Sequence, residues 1–272
     1  MRTLVIASLL FLNALSGYTQ GVQHLKVPTD RWHSVFTMLS LPPDYHKSGE
    51  KRYPTIIYFH GKGATGVDGK ALFREGLPRR IKAGWKPQAI NPLTHKTEYF
   101  IVIAAQDQWT TPWPETMYKV MAYLQHNKKL RIDTNRVYTT GPSFGGAGSV
   151  LYAAWDSLSH KKVAAILSAS PAADINRVVH NFKYLAKDGI PVWFYSGDKD
   201  GFFTDNAKRY SKELNRLSDS LKKKHISWVQ TFHGGHCCWQ PLYDGKIKIM
   251  WNGQRVDMYQ WFLFFSKQHA RR

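Results

Sequence analysis

The sequence predicts an α/β fold, in which a mostly parallel, doubly wound sheet carries helices on both faces. Short runs of almost entirely apolar residues recur along the chain, as expected of strands that are covered on both sides. Amphipathic stripes at helical spacing lie between several of these runs, so strands and helices alternate. Because the 272 residues show no break in composition, we expect one domain over residues 21–272 after a leader.

The apolar runs place the strands, and the stripes place the helices. Strands are predicted near residues 32–40, 55–60, 99–105, 136–140, 163–170, 191–197 and 226–232. One helix is predicted to begin at Ala147, and three others carry the stripes Met117, Val120, Met121 and Leu124; Tyr210, Leu214, Leu217 and Leu221; and Met258, Trp261, Phe262 and Phe265. The least regular segment is 62–98.

Residues 1–20 resemble a signal peptide, with Arg2, an apolar run from Leu4 to Leu12 and small residues after it. We therefore expect a secreted or periplasmic protein. A membrane-spanning helix needs about 20 apolar residues, and no such run follows the leader, so we expect no integral membrane segment after its removal.

The formal net charge is +19, which favours anionic partners. The lysines and arginines are scattered rather than clustered on one element, so the sequence does not predict nucleic-acid binding. Two interpretations of the charge stay open. It attracts an acidic polymeric substrate or an anionic surface, or it only keeps the protein in solution.

Ser143 lies in the stretch GPSFGG at residues 141–146, between the predicted strand 136–140 and the helix from Ala147. G-x-S-x-G at a strand-to-helix turn holds a nucleophilic serine at the carboxyl end of a sheet. The positive end of the helix dipole then faces any developing anion. The same glycines also fit a purely structural turn, so the motif alone leaves both interpretations open.

An acid and a base follow the next predicted strands, in the chain order Ser, Asp, His. Asp198 and Asp200 follow the strand 191–197, and His233 and His236 follow the strand 226–232. Because parallel strands end at one edge of the sheet, we expect these side chains to converge on Ser143. This arrangement activates a hydroxyl for acyl transfer, and it favours catalysis over a structural turn.

Four stretches carry a family resemblance that covers residues 50–268: YFHGKGATG, GPSFGG, PVWFYSGDKDG and GGHCCWQPLYD. They resemble the secreted α/β-hydrolase esterases of the feruloyl esterase, polyhydroxybutyrate depolymerase and phospholipase/carboxylesterase group. The resemblance implies the α/β-hydrolase fold and a serine esterase that forms an acyl-enzyme without a cofactor. It implies as substrate a carbohydrate-linked or small acyl or feruloyl ester. Together with the positive charge, it makes an ester on a plant or acidic polysaccharide a candidate substrate.

The resemblance also assigns the catalytic roles. Ser143 matches the nucleophile, Asp200 the acid that closes G-x-x-D, and His236 the base. Asp198 is then a turn residue, and His233 is a neighbour of the base.

The family's oxyanion loop matches His60 and Gly61, so the backbone N–H groups of Lys62 and Phe144 are predicted to bind the oxyanion. Pro142 departs from the family, in which the residue before the serine is usually small or apolar but not proline.

Other residues admit more than one interpretation. Trp113 and Trp239, with Trp109, are candidate substrate-binding aromatics, and core packing explains each of them equally well.

The stretch HGGHCC holds two His and two Cys, but adjacent cysteines are poorly placed for tetrahedral zinc, so no metal site is predicted.

Cys237 and Cys238 are predicted to be two buried thiols, because a disulfide between neighbours would be strained.

Two further functions remain as alternatives to an esterase. One is a peptidase of the prolyl oligopeptidase type, although those enzymes carry an additional large domain that 272 residues do not accommodate. The other is a catalytically silent carbohydrate-binding protein with a hydrolase fold.

Overall fold

The apolar runs form a central eight-stranded sheet in the computed structural model, which describes residues 21–172 and 176–267. The strands of this part of the chain are β1 (Val22–Pro28), β2 (Ser34–Ser40), β3 (Tyr53–Tyr58), β4 (Gln88–Ile90), β5 (Thr97–Tyr99), β6 (Ile101–Gln106), β7 (Ile132–Pro142), β8 (Ala165–Ala169), β9 (Val192–Gly197), β10 (Ser227–Phe232), β11 (Ile249–Trp251) and β12 (Gln254–Val256). Strands β4 and β5, and strands β11 and β12, form separate two-stranded sheets.

The strand order in the large sheet is β1-β2-β6-β3-β7-β8-β9-β10. β1 and β2 are antiparallel to their neighbours, whereas β6, β3, β7, β8, β9 and β10 are parallel. The predicted mostly parallel sheet is confirmed. Because the parallel strands share a direction, the segments that follow β3, β7, β9 and β10 all begin at one edge of the sheet.

Helices cover both faces of this sheet. They are α1 (Gly76–Lys82), α2 (Pro114–Asn127), α3 (Phe144–Ala154), α4 (Asn176–Val179), α5 (Phe182–Asp188), α6 (Phe202–Ser220), α7 (Gln240–Tyr243) and α8 (Met258–Phe262). Residues of α2, α3, α5 and α6 share one buried apolar cluster, and residues of α1, α7 and α8 share the other. Alternate residues of the central strands enter the two clusters, for example Ile57 the first and Ile56 the second.

Several elements begin or end differently from the prediction. β1 was not predicted, because it is an edge strand with polar residues exposed along it. α3 begins at Phe144 rather than Ala147, and α6 begins at Phe202, well before the stripe from Tyr210. α8 ends at Phe262, so Phe265 lies beyond it.

The predicted signal peptide, residues 1–20, lies outside the described residues. In the part of the chain that the structure describes, no helix combines the length and the apolar character that crossing a membrane requires.

Candidate active site

Ser143 occupies a sharp turn between β7 and α3. Its φ of 57° and ψ of −121° place a non-glycine residue in a sparsely populated backbone conformation. The Ser143 N–H donates to the carbonyl of Ala169 on β8 at 2.8 Å, and the Ser143 carbonyl accepts from Ala172 N–H at 3.0 Å. Pro142 ends β7 opposite Ala169, so the proline is compatible with the turn. The surrounding strands therefore hold the Ser143 backbone in its strained conformation.

The glycines beside Ser143 are required because other backbone comes very close. A Cβ at Gly141 or at Gly145 would overlap the carbonyl oxygen of Phe59, which follows β3. Neither glycine has a positive φ, so close approach, and not unusual torsion, explains them. The glycines thus bring the start of α3 against the segment that follows β3.

His236 and Asp200 lie in line with Ser143. His236 Nε2 is 3.0 Å from Ser143 Oγ, and His236 Nδ1 is 3.2 Å from Asp200 Oδ2 and 3.0 Å from its Oδ1. The Asp200 side chain is fully buried, whereas 29% of the His236 side chain is exposed. The structure therefore brings together the three residues to which the sequence assigned nucleophile, base and acid.

Asp198 and His233 form a second, separate pair on the same two loops. Asp198 Oδ2 is 3.0 Å from His233 Nδ1, and Asp198 Oδ1 accepts from the Gly234 N–H at 2.9 Å. The Gly234 N–H, followed by the His233 side chain, lowers the pKa of Asp198. Both side chains are solvent-exposed. Asp198 thus ties the loop after β10 to the loop after β9.

The loop after β3 is fixed by a buried histidine. His60 Nε2 accepts from the Asp107 N–H at 2.9 Å, so Nδ1 carries the proton and donates to the Gly61 carbonyl at 2.8 Å. Burial lowers the pKa of His60, which favours this neutral form. Gln106 fixes the same loop further along by donating to the Ala64 carbonyl at 2.9 Å.

Lys62 and Phe144 each begin a helix, Lys62 a short 3₁₀ turn to Ala64 and Phe144 the helix α3. The first N–H groups of a helix have no acceptor within the helix. Both residues line the cavity that contains Ser143. The backbone amides of these two residues are therefore the candidates for an oxyanion site, as the sequence predicted.

The Ser143 cavity has a volume of about 580 Å³. Its aromatic wall comprises Phe144, Phe202, Phe203 and Trp239. Of the predicted substrate-binding aromatics, Trp239 lies in this wall, whereas Trp113 and Trp109 are not among the lining residues. Trp113 packs near Trp155, just past the last residue of α3, with ring centroids 6.0 Å apart. An 11-residue helix is about 16 Å long, so the structure places Trp113 well away from Ser143.

Phe203 and Glu75 lie in the cavity without having been predicted there. Phe203 stacks on the His236 imidazole, with ring centroids 3.8 Å apart and an interplanar angle of 22°. Glu75 lies close to Gly61, and burial raises the pKa of its carboxyl group, while the Gly61 N–H opposes that rise. The sequence signal for Phe203 was its place directly after the loop that holds Asp200. Glu75 lies in the irregular segment and carries no such signal.

The two cysteines correct one prediction. Cys237 and Cys238 are not joined by a disulfide in the structure, and both are exposed rather than buried. They lie on the loop after β10, which is an edge strand, so little of the protein packs over them. Within residues 21–172 and 176–267, no three His, Cys, Asp or Glu side chains are grouped as metal ligands.

Comparison with known proteins bears on the fold. No protein-family model matches the sequence, and no curated protein matches it. A thermostable esterase of known structure superposes with a TM-score of 0.57 at 16% identity, over 90% of this chain and 62% of that one. A ferulic acid esterase gives 0.56 at 16% identity, over 92% and 97%. The S-formylglutathione hydrolase FrmB of Staphylococcus aureus gives 0.57 at 13% identity, over 89% and 95%.

This chain has the α/β-hydrolase fold. The predicted fold class is thereby confirmed, and the neighbours are esterases and a hydrolase, as the resemblance in the sequence implied. The α/β-hydrolase sheet accounts for the convergence at the site, because Ser143, Asp200 and His236 follow β7, β9 and β10 at the same edge. The chain spans less than two thirds of the thermostable esterase, and at these identities the likeness establishes the fold alone.

Proposed function

We propose that this protein is a serine esterase that hydrolyses carboxylic esters through an acyl-enzyme. The observation that carries the proposal is the chain of contacts from Ser143 Oγ to His236 Nε2 at 3.0 Å and from His236 Nδ1 to the buried Asp200 carboxylate at 3.0 Å. Phe203 stacks on the imidazole and the cavity opens beside the hydroxyl, so the base is held and a substrate carbonyl has room.

In the proposed reaction, His236 Nε2 takes the Ser143 proton while Oγ attacks the ester carbonyl carbon. The Asp200 carboxylate stabilises the imidazolium that forms and fixes Nδ1 as the protonated nitrogen. The N–H groups of Lys62 and Phe144 bind the negative oxygen, and each such donor is worth about 3–4 kcal/mol in other hydrolases. The imidazolium then protonates the departing alkoxide. Water enters with the same help from His236 and releases the acid, without a cofactor.

The structural neighbours support this chemistry, since they include two proteins described as esterases and one described as an S-formylglutathione hydrolase. The proposed substrates are carbohydrate-linked esters and small acyl or feruloyl esters. From residues 1–20 we propose that the protein is exported, to the periplasm or out of the cell.

Turnover of matched model substrates tests the reaction class. We expect hydrolysis of short acyl and feruloyl p-nitrophenyl-type esters and of acetylated glycans, with little hydrolysis of dipeptide amides. Ser143→Ala should remove the esterase activity. Faster cleavage of the amides would support the peptidase alternative. No turnover of any substrate, together with retained glycan binding, would support the carbohydrate-binding alternative.

The net charge of +19 leads us to propose an ester on an acidic polymer as the natural substrate. Long-range attraction raises the rate of encounter with a polyanion, and salt screens it over about 8–10 Å near physiological strength. The kcat/KM for an acidic polymeric ester should therefore fall steeply between about 20 and 300 mM salt, while that for a small neutral ester should hardly change. Equal salt dependence for the two esters would leave the charge with a role in solubility only.

A further inference from the structure

Cys237 and Cys238 form a pair of thiols at the edge of the Ser143 cavity. Their Sγ atoms are 3.2 Å apart, and both residues are exposed. Cys237 lines the cavity and directly follows His236 in the chain. Neither sulfur has a role in the proposed hydrolysis.

We propose that Cys237 and Cys238 are a modification site for small disulfides, which oxidise the pair to a bridge between neighbouring residues and thereby inactivate the Ser143 site. Exposure is what distinguishes this pair from structural thiols. A buried cysteine is inert, whereas an accessible one exchanges with disulfides from solution.

The oxidation balances as two thiol–disulfide exchanges. The Cys237 thiolate attacks one sulfur of a small disulfide RSSR, forms a mixed disulfide and releases RS⁻. Cys238 then loses its proton and attacks Cys237 Sγ, which forms the bridge and releases the second RS⁻. The protein gives up two electrons, and both thiol protons are taken up by the two RS⁻ leaving groups. The hydrogen bond with Cys237 raises the pKa of the Cys238 thiol, so Cys238 keeps its proton while Cys237 makes the first attack.

The bridge should be easy to reverse. Neighbouring Cα atoms are about 3.8 Å apart, below the range of about 4.4–6.8 Å that an unstrained disulfide prefers. Strained and exposed disulfides are the ones that reduce readily. The site is therefore suited to reversible modification and poorly suited to permanent stabilisation of the fold.

Closing the bridge should displace His236. The sulfurs must approach each other by about 1 Å from their present separation to reach the covalent distance. The chain after the pair is fixed, because Trp239 is buried and Gln240 accepts from the Gly76 N–H at 2.9 Å.

The chain before the pair is held at Gly234, whose N–H donates to Asp198 Oδ1 at 2.9 Å and whose carbonyl accepts from the Lys199 N–H at 3.0 Å. With both ends held, we expect the change to be taken up between Gly235 and Cys238, which moves the His236 backbone. A catalytic group misplaced by about 1 Å can lose about 100-fold in rate.

Treatment with 2-hydroxyethyl disulfide tests the proposal, with intact-protein mass and ester turnover measured on the same sample. We expect the mass to fall by two hydrogens without an adduct, turnover to fall at least tenfold, and dithiothreitol to restore both. Cys238→Ser is the matched control, compared with its own untreated sample. It should gain one adduct at Cys237 and should never show the two-hydrogen loss.

The activity measurement rests on the proposed function, but the mass measurement does not. A wild-type protein that ends as a stable adduct, or that bridges and keeps its turnover, would overturn the proposal. If the untreated protein shows no turnover, the proposed function has failed, and the imidazole NMR signals of His236 become the measurement. These signals are identified as those that disappear in the His236→Gln variant. They should shift when the bridge forms, and unchanged signals would refute the predicted displacement.

Discussion

Replacing Asp200 with asparagine should remove most of the activity, because it deletes the charge that stabilises the His236 imidazolium. The Asp200 carboxylate is fully buried and lies 3.0 Å from His236 Nδ1. At that distance and an effective dielectric constant of about 20, two unit charges attract by about 5.5 kcal/mol. The imidazolium exists only as the reaction proceeds, so losing this attraction raises the barrier and slows kcat by up to about 10⁴-fold. Because His236 is partly exposed, we expect a loss of about 10³- to 10⁴-fold.

The matched control for this experiment is Asp198→Asn. Asp198 follows the same strand and contacts a histidine in the same way, but both members of its pair are exposed and neither touches Ser143. Steady-state kcat on one p-nitrophenyl ester, with circular dichroism to check folding, should show less than about a threefold change for this variant. Equal losses for the two variants, or an Asp200→Asn enzyme with more than a tenth of normal kcat, would refute the assignment of the acid.

Two further predictions concern stability. Gly145→Ala should lower the free energy of unfolding, measured by urea titration, by about 3 kcal/mol or more, because the added Cβ would overlap the backbone of Phe59. The control is Gly235→Ala, whose added Cβ would meet no heavy atom within 4 Å and should change the free energy of unfolding by less than about 1 kcal/mol. A mild Gly145→Ala effect would contradict the close approach. Glu75→Gln should flatten the pH dependence of stability. Burial raises the pKa of Glu75 in the folded protein. As the pH rises above about 4, the Glu75 carboxyl therefore ionises in the unfolded chain before it ionises in the folded protein. The wild type loses stability over this range, until the pH passes the folded-state pKa. A wild-type minus variant difference that stays constant with pH would contradict this.

The strand pattern and the chain order of the motifs predicted the location of the three proposed catalytic residues. A parallel sheet brings the carboxyl ends of its strands to one edge, so the loops with Ser143, Asp200 and His236 could be assigned to one place from the sequence. The choice of Asp200 over Asp198 came from the resemblance, and the structure brings Asp200 to His236 and Asp198 to His233.

Contacts between residues remote in sequence could not be predicted in this way. Trp113 was a candidate cavity residue because flat aromatic rings suit sugar substrates, but α2 begins beside it and its ring lies near that of Trp155. Phe203 and Glu75 reach the cavity through helix placement and an irregular loop, for which periodicity gives no signal. The start of α3 at Phe144 was not predicted because glycine has a low helix propensity. The glycines at the start of α3 are there because other backbone packs closely against them.

Labelling with a fluorophosphonate tests the central claim most directly, because the probe forms a bond only with a serine that a neighbouring base has activated. The account predicts one adduct per chain, located on Ser143 by peptide mass spectrometry, absent in Ser143→Ala and strongly slowed in His236→Ala. A folded protein that stays unlabelled, or that is labelled at another residue, would contradict it.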